Sequence, residues 1–267
     1  MILVGAGGML GSAFSHYDVI SLDRASLDIS RSLDVLPTDA DVLINCAAYT
    51  RVDDCETHIE EAIQINGTAV GNLAQWCNAH RVTLVHFSTD YVFDGQKKEP
   101  YLETDPTNPL SIYGKSKLAG EQAIIEHCQR YYIFRIQWLY GANGKHFVDT
   151  IIRLAKEKES LNIVNDQWGS PSWTHDIARC IMSFLKKSPD YGIYHLANTG
   201  YTSWLEFARF FLGPNYPLHP ITTDQMPRPA KRPLNSRLCI DKYLSVGERP
   251  LPWQDAVRAY LAEKREY

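Results

Sequence analysis

Five short apolar runs, rich in β-branched residues, alternate with stretches of helical period, and this alternation limits the fold more than any other feature. The runs are "MILV" (1–4), "DVISL" (18–22), "DVLINCA" (41–47), "VTLVHFS" (82–88) and "YYIFRI" (131–136). Between them, residues 60–80 and 115–128 space their apolar side chains three and four apart, as one face of a helix requires. Strands apolar on both faces need cover on both faces, and helices between successive strands supply it. The pattern therefore predicts an α/β fold built on a Rossmann-type, doubly wound parallel sheet. The first helix must be short, because a strand begins again at residue 18.

Beyond residue 140 the pattern loosens. Helices are expected over 146–159, 173–187 and 203–212, a strand over 192–198, and a closing helix after Pro252. The expected organisation is a dinucleotide-binding core over 1–140, to which the chain returns around 155–190. Residues 141–267 then form mostly a smaller, substrate-binding α/β lobe. A chain of 267 residues, 45% hydrophobic, buries a large core. Its net charge of −4 gives no electrostatic reason for nucleic acid or an anionic membrane as partner. No apolar run approaches the ~20 residues of a membrane span, and "MILVGAGG" turns to glycine too early for a signal peptide. The six cysteines are scattered without a C-x-x-C pair, which points to packing in a reduced compartment. A cytoplasmic protein is expected.

Directly after the first strand, "GAGGMLG" places Gly5, Gly8 and Gly11 as G-x-x-G-x-x-G at the start of a helix. Glycine there permits a tight turn and close backbone approach to a pyrophosphate, and the helix start offers it free N–H groups. A lone glycine motif is a weak sign, but the second strand ends in Asp23, placed to accept hydrogen bonds from an adenosine ribose. Arg24 beside it suits a 2′-phosphate, so both NADH and NADPH stay open. Asp28, Ile29, Ala47, Ala48 and Tyr49 fall at the carboxyl edge of the sheet, where loops reach adenine and the nicotinamide-side ribose. Taken singly, each is equally well explained by loop packing.

The fourth strand turns polar at Ser88, Thr89 and Asp90, putting hydroxyls and a carboxylate at its carboxyl end. One loop later, "SIYGKSK" sets Tyr113 and Lys117 at i and i+4 of a helix, on one face. A tyrosine with a pKa of roughly 10 is a poor proton donor or base near neutrality without help, and a nearby ammonium lowers that value. Spacing alone occurs by chance in many helices. The order glycine turn, polar strand end, Tyr-x-x-x-Lys makes chance a poor account.

With these blocks the sequence resembles the extended short-chain dehydrogenase/reductases, and within them the dTDP-4-dehydrorhamnose reductase family. The resemblance spans nearly the whole chain through "GAGGMLG", "LINCAAYTRVDDCE", "HFSTDYVFDG", "YLETDPTNPLSIYGKSKLAGEQAI", "FRIQWLYG", "NDQWGSP" and "KRPLNSRL". It implies Thr89, Tyr113 and Lys117 as the catalytic triad. Gly8, Met9, Leu10, Asp23, Asp28, Ile29, Ala47, Ala48, Tyr49 and Phe87 would line the cofactor, NADPH with NADH also admitted. Thr89, Asp90 and Trp138 would contact the sugar of a nucleotide-sugar substrate. The basic segment holding Arg228, Lys231, Arg232 and Arg237 is a candidate diphosphate clamp. Its alternative is a solvated, charged loop. Some relatives bind magnesium at a dimer contact through glutamates; Ala13 and His175 stand at those positions here. No metal site is therefore expected, and a monomer or weak homodimer is. His86, in its apolar strand, reads as a core residue and not a metal ligand. Two rival functions remain. One is reduction to the C4 epimer or of another nucleotide sugar. The other is an NADP-binding regulatory subunit related to that of methionine adenosyltransferase.

Overall fold

A computed structural model describes residues 1–264. Six parallel strands form its central sheet: β1 (Ile2–Val4), β2 (Ile20–Leu22), β3 (Val42–Asn45), β4 (Thr83–Thr89), β5 (Tyr131–Ile136) and β6 (Gly192–His195). Their order is β6-β5-β4-β3-β1-β2. The chain steps from β1 outward to β2, then returns to place β3 on the other side of β1. The β1/β3 junction is thus the point where the winding reverses, and ligands of such sheets bind outside the strand ends there.

Alternation along the strands explains why both sheet faces are apolar. Ile2, Val4, Leu43, Leu84 and Ile133 face Val70 and Leu73 of the Ala69–Ala79 helix and Ile124 of the Ile112–His127 helix. Leu3, Ile44, Val85, Phe87 and Phe134 face Phe14 and, from the Thr174–Lys187 helix, Ile177, Ile181 and Phe184. Full burial of each such side chain contributes about 1.5–3 kcal/mol, so truncating Phe134 would cost about 3–5 kcal/mol with the cavity left behind. The Thr174–Lys187 helix and β6 come late in the chain yet complete this core. The first helix, Met9–Ser12, is a single turn, as the sequence demands.

The helix expected over 60–80 carries a π turn at Gln64–Thr68, between Ile59–Ile63 and Ala69–Ala79. The wider turn carries the fully buried Asn66, whose amide donates to Tyr49 O (3.0 Å) and Ser116 Oγ (3.0 Å) and accepts from Tyr49 N–H (2.8 Å). A helix interrupted this way commonly serves a site. Here it anchors the loop after β3.

The remaining residues form the smaller lobe. Leu161–Val164 pairs in parallel with Leu218–Ile221. The helices Phe147–Glu157, Trp204–Leu212 and Trp253–Glu263 surround Tyr140, Phe207, Trp253 and Tyr260. The proline-rich, basic segment after Ile221 runs back to the sheet: Trp168 N–H bonds Leu234 O, and Tyr101 N–H bonds Arg237 O, both at 2.8 Å. Among the described residues no helix is long and apolar enough to cross a membrane.

Candidate active site

The glycine turn and the loops after β2 and β3 enclose a cleft of about 450 Å³. Gly5, Gly8, Asp23, Arg24, Asp28, Ile29, Ala47, Ala48 and Tyr49 all line it, joined by Gly7 and Leu27, which sequence reasoning did not single out. Gly5 has φ +78°, and a Cβ there would meet Ala47 N at 2.5 Å; a Cβ on Gly11 would meet Gly5 O at 2.2 Å. Close approach therefore requires glycine at both positions. Around Gly7, by contrast, a Cβ would find nothing nearer than Asp23 Cβ at 3.9 Å, so bare backbone faces open space. That cradle fits the pyrophosphate of a dinucleotide. Leu10 is buried in the core and Gly11 packs on Gly5, so both support the turn from behind. Met9 reaches across to Gly144.

Asp23 Oδ1 accepts from both the N–H and the hydroxyl of Ser26, each at 2.8 Å. These bonds hold its carboxyl below the usual range, leaving an ionised acceptor for ribose hydroxyls. The Arg24 side chain is 77% exposed and pairs loosely with Asp28 at 3.7 Å, free to swing toward a phosphate.

At the end of β4, Thr89 Oγ1 accepts from Tyr91 N–H (3.2 Å) and donates to Asp90 Oδ1 (3.0 Å). Asp90 is buried, its Oδ2 has no hydrogen-bond partner among the described residues, and burial pushes its pKa up to about 7. The Ile112–His127 helix starts on a Ser111 cap that accepts from Gly114 N–H (3.2 Å), while Ile112 N–H bonds Glu56 Oε1 (2.8 Å). A Cβ on Gly114 would lie 2.2 Å from Tyr91 O. The helix start thus presses against the loop after β4 and brings the Tyr113 hydroxyl near Thr89. The Tyr113 ring stands edge-on to Tyr91, with centroids 5.9 Å apart.

Lys117, one turn on, points elsewhere. Its Nζ donates to Phe87 O (2.6 Å) and stands 3.3 Å from His86 Nε2. Burial draws its pKa down to about 8. Tyr113 is not acidified: burial raises its pKa. The phenol stays protonated at neutral pH, the state a proton donor needs. Phe87 offers its carbonyl here, while its ring lies in the core.

On the other side of Tyr91 lies a cavity of about 550 Å³, with Phe147, Ile151 and Trp204 on its apolar wall and Arg228, Lys231 and Arg232 on its cationic wall. Arg232 is fixed by Asp53, which also draws Arg228 to 3.7 Å. Trp138, at φ +48°, stacks on Trp204 with centroids 3.6 Å apart and rings 8° from parallel. Arg237 is not brought to this wall. Its Nε donates to Asn235 Oδ1 (2.8 Å) and its Nη2 to Lys98 O, in a separate depression beside Trp168. Main-chain pairing of Arg237 with Tyr101 fixes it there.

Sequence reasoning missed Asn45, Asn66, Gln167 and Trp204. The signals were present: an asparagine inside the apolar "LINCA" and another inside a helical repeat. A lone polar residue on an apolar face must find a buried partner. Among the described residues, no group of three or more His, Cys, Asp or Glu side chains is placed to hold a metal ion.

A glycine turn after β1 with a Tyr-x-x-x-Lys helix against the end of β4, on this sheet, is the architecture of the extended short-chain dehydrogenase/reductases. Comparison narrows the class. The family model described as RmlD substrate binding domain matches residues 1–266. The chain is 40% identical to dTDP-4-dehydrorhamnose reductase of Escherichia coli, covering 84% of this chain and 79% of that protein. It is 36% identical to the spore coat polysaccharide biosynthesis protein SpsK of Bacillus subtilis, over 99% and 97%. The crystal structure of dTDP-4-dehydrorhamnose reductase from Bacillus anthracis in complex with NADP superposes with a TM-score of 0.91, at 35% identity over 98% of each chain. The chain belongs to the dTDP-4-dehydrorhamnose reductase family.

Proposed function

We propose that the protein reduces the C4 keto group of dTDP-4-dehydro-L-rhamnose to dTDP-L-rhamnose, using NADPH, with NADH fitting the same cleft. One observation carries the reading. Tyr113 packs against the small cluster that holds Tyr49, which lines the dinucleotide cleft, and stands edge-on to Tyr91, which lines the cavity with the cationic wall. A proton donor thus sits between a place for a dinucleotide and a place for a sugar diphosphate.

The reduced nicotinamide, when bound, supplies the hydride. Tyr113 gives its phenolic proton to the alkoxide that forms at C4, and Thr89 hydrogen-bonds the same oxygen. Lys117 holds the ribose of the cofactor. Asp90 and Trp138 seat the sugar, and Arg232, with Arg228 and Lys231, meets the diphosphate. Trp204 and Phe147 offer the apolar surface that a thymine ring needs.

The test is cofactor oxidation by purified protein with NADPH and NADH separately, on dTDP-4-dehydro-L-rhamnose made in situ, with the product identified by NMR. A rhamnose product supports the reading. A 6-deoxy-talose product keeps the chemistry and rejects the assigned stereochemistry. Cofactor binding without turnover rejects the substrate.

A further inference from the structure

His86 lies fully buried in β4 between two amine-bearing side chains, and the hydrogen bonds around it leave little freedom in where the protons sit. Ala47 N–H donates to Asn45 Oδ1 at 3.0 Å, which orients the amide and turns its NH₂ toward the imidazole. Asn45 Nδ2 then stands 3.1 Å from His86 Nδ1, so Nδ1 must accept. Burial keeps the imidazole neutral, its pKa held well below the ordinary value. A neutral ring that accepts at Nδ1 carries its proton on Nε2, and Nε2 faces Lys117 Nζ at 3.3 Å.

An ammonium at Nζ would set donor against donor. A free amine completes the chain: His86 Nε2–H donates to the Nζ lone pair, and Nζ donates onward to Phe87 O at 2.6 Å. Each contact from Ala47 to Lys117 then pairs a donor with an acceptor. We propose that Asn45 and His86 form a tautomer lock that favours the neutral amine of Lys117 in the cofactor-free site and so eases the loss of its proton. His86 is then a positioning residue for Lys117. This deepens the reading of Lys117 as part of a reductase site.

The other charges around Lys117 do not undo the arrangement. Glu121, one turn along the same helix, favours the ammonium, but its carboxylate is committed to Arg135 at 2.7 Å and to Ser88 Oγ. The Cys46 thiol also acts in that direction only when ionised, and burial holds it protonated. Burial itself is the largest influence on Lys117 and lowers its pKa to about 8.

The lock is tested without cofactor or substrate. Long-range proton–nitrogen NMR of protein carrying ¹⁵N-histidine reports the tautomer, with the His86 signals assigned by their loss in His86→Gln. The expected result is a ring that stays neutral from about pH 6 upward, despite an ordinary histidine pKa near 6.5, and that is protonated on Nε2 above about pH 8, where Lys117 is the free amine. A ring protonated on Nδ1 in that upper range, or an imidazolium, overturns the proposal. Asn45→Asp supplies the second arm. Its carboxylate keeps the bond from Ala47 N–H but accepts at His86 Nδ1, which moves the ring proton there and turns the Nε2 lone pair toward Lys117. In ¹³C-lysine spectra, Lys117 should then titrate about one pH unit or more higher. A switched tautomer with an unmoved Lys117 titration overturns the coupling. Neither arm depends on turnover, so a failed substrate assignment and a failed lock are read separately.

Discussion

Asp53 holds both terminal nitrogens of Arg232, at 3.0 and 3.1 Å, across 179 residues of sequence. The carboxylate belongs to the loop after β3 and the guanidinium to the basic segment of the smaller lobe. The pair therefore ties the cofactor side of the molecule to the wall of the large cavity. Its fork geometry, with Ala230 N–H also bonded to Asp53 (3.3 Å), fixes the arginine where a diphosphate is proposed to bind.

Arg232→Ala should raise the KM for the nucleotide sugar about tenfold, the worth of one lost charge-assisted contact of about 1.4 kcal/mol, with kcat little changed. Arg237→Ala should leave both constants within about twofold, because its guanidinium lies in the separate depression beside Trp168. Steady-state kinetics on the two variants separates them. Equal losses would mean that the two arginines act as one clamp after all.

Tyr113→Phe keeps the ring against Tyr91 and the Tyr49 cluster and removes only the hydroxyl. Turnover should fall about 10³-fold, within the usual range for a lost general acid. Cofactor affinity, followed by fluorescence titration, should stay within about twofold. A variant retaining a tenth of the activity would take Tyr113 out of the mechanism.

The sheet was legible because its signal is local and repeated: each apolar run became a strand, and the glycine turn fell where a short first helix demanded it. Asp23, Ala47 and Tyr49 were legible as cleft residues because strand ends in such a sheet all open to one edge. Three features were not. The π turn at Gln64–Thr68 hides inside a good helical repeat, and its cause, Asn66 reaching Tyr49, is a contact 17 residues away. The direction of Lys117 was obscured because i and i+4 fix a shared face but not which acceptor wins, and Phe87 O wins here. Arg232 and Arg237 look alike in a basic run. Only the main-chain pairing with Tyr101 tells which one meets the cavity.

Asp90 should make stability depend on pH in an unusual direction. Its folded pKa, raised to about 7 by burial, exceeds the unfolded value near 3.8, so the folded state holds the proton more tightly. The stability this contributes is complete below the unfolded value and is lost as pH rises through about 7. The amide introduced by Asp90→Asn cannot ionise and escapes that loss. Relative to the parent, the variant should gain on the order of 2 kcal/mol between pH 5 and pH 8, read by urea denaturation at the two values. A gain that does not grow with pH would mean that Asp90 ionises freely in the folded protein.

Asn66→Ala tests the anchor of the cofactor loop. The substitution strands Tyr49 N–H and Tyr49 O in a buried place, where an unmet polar group costs about 1–3 kcal/mol, while Ser116 Oγ keeps its bond to Tyr113 O. A loss of about 2–4 kcal/mol is expected, since a water in the vacated volume recovers part of the cost. Asn66→Asp should be worse. Its carboxylate still accepts from Tyr49 N–H but faces Tyr49 O with no proton to give, and it buries a charge without a partner. Dinucleotide affinity should fall with the loop in both variants, because Tyr49 and its neighbours Ala47 and Ala48 line the cleft. Denaturation and cofactor titration on the same preparations give the order parent, Ala, Asp. If affinity holds while stability drops, the π turn supports the core and not the cleft.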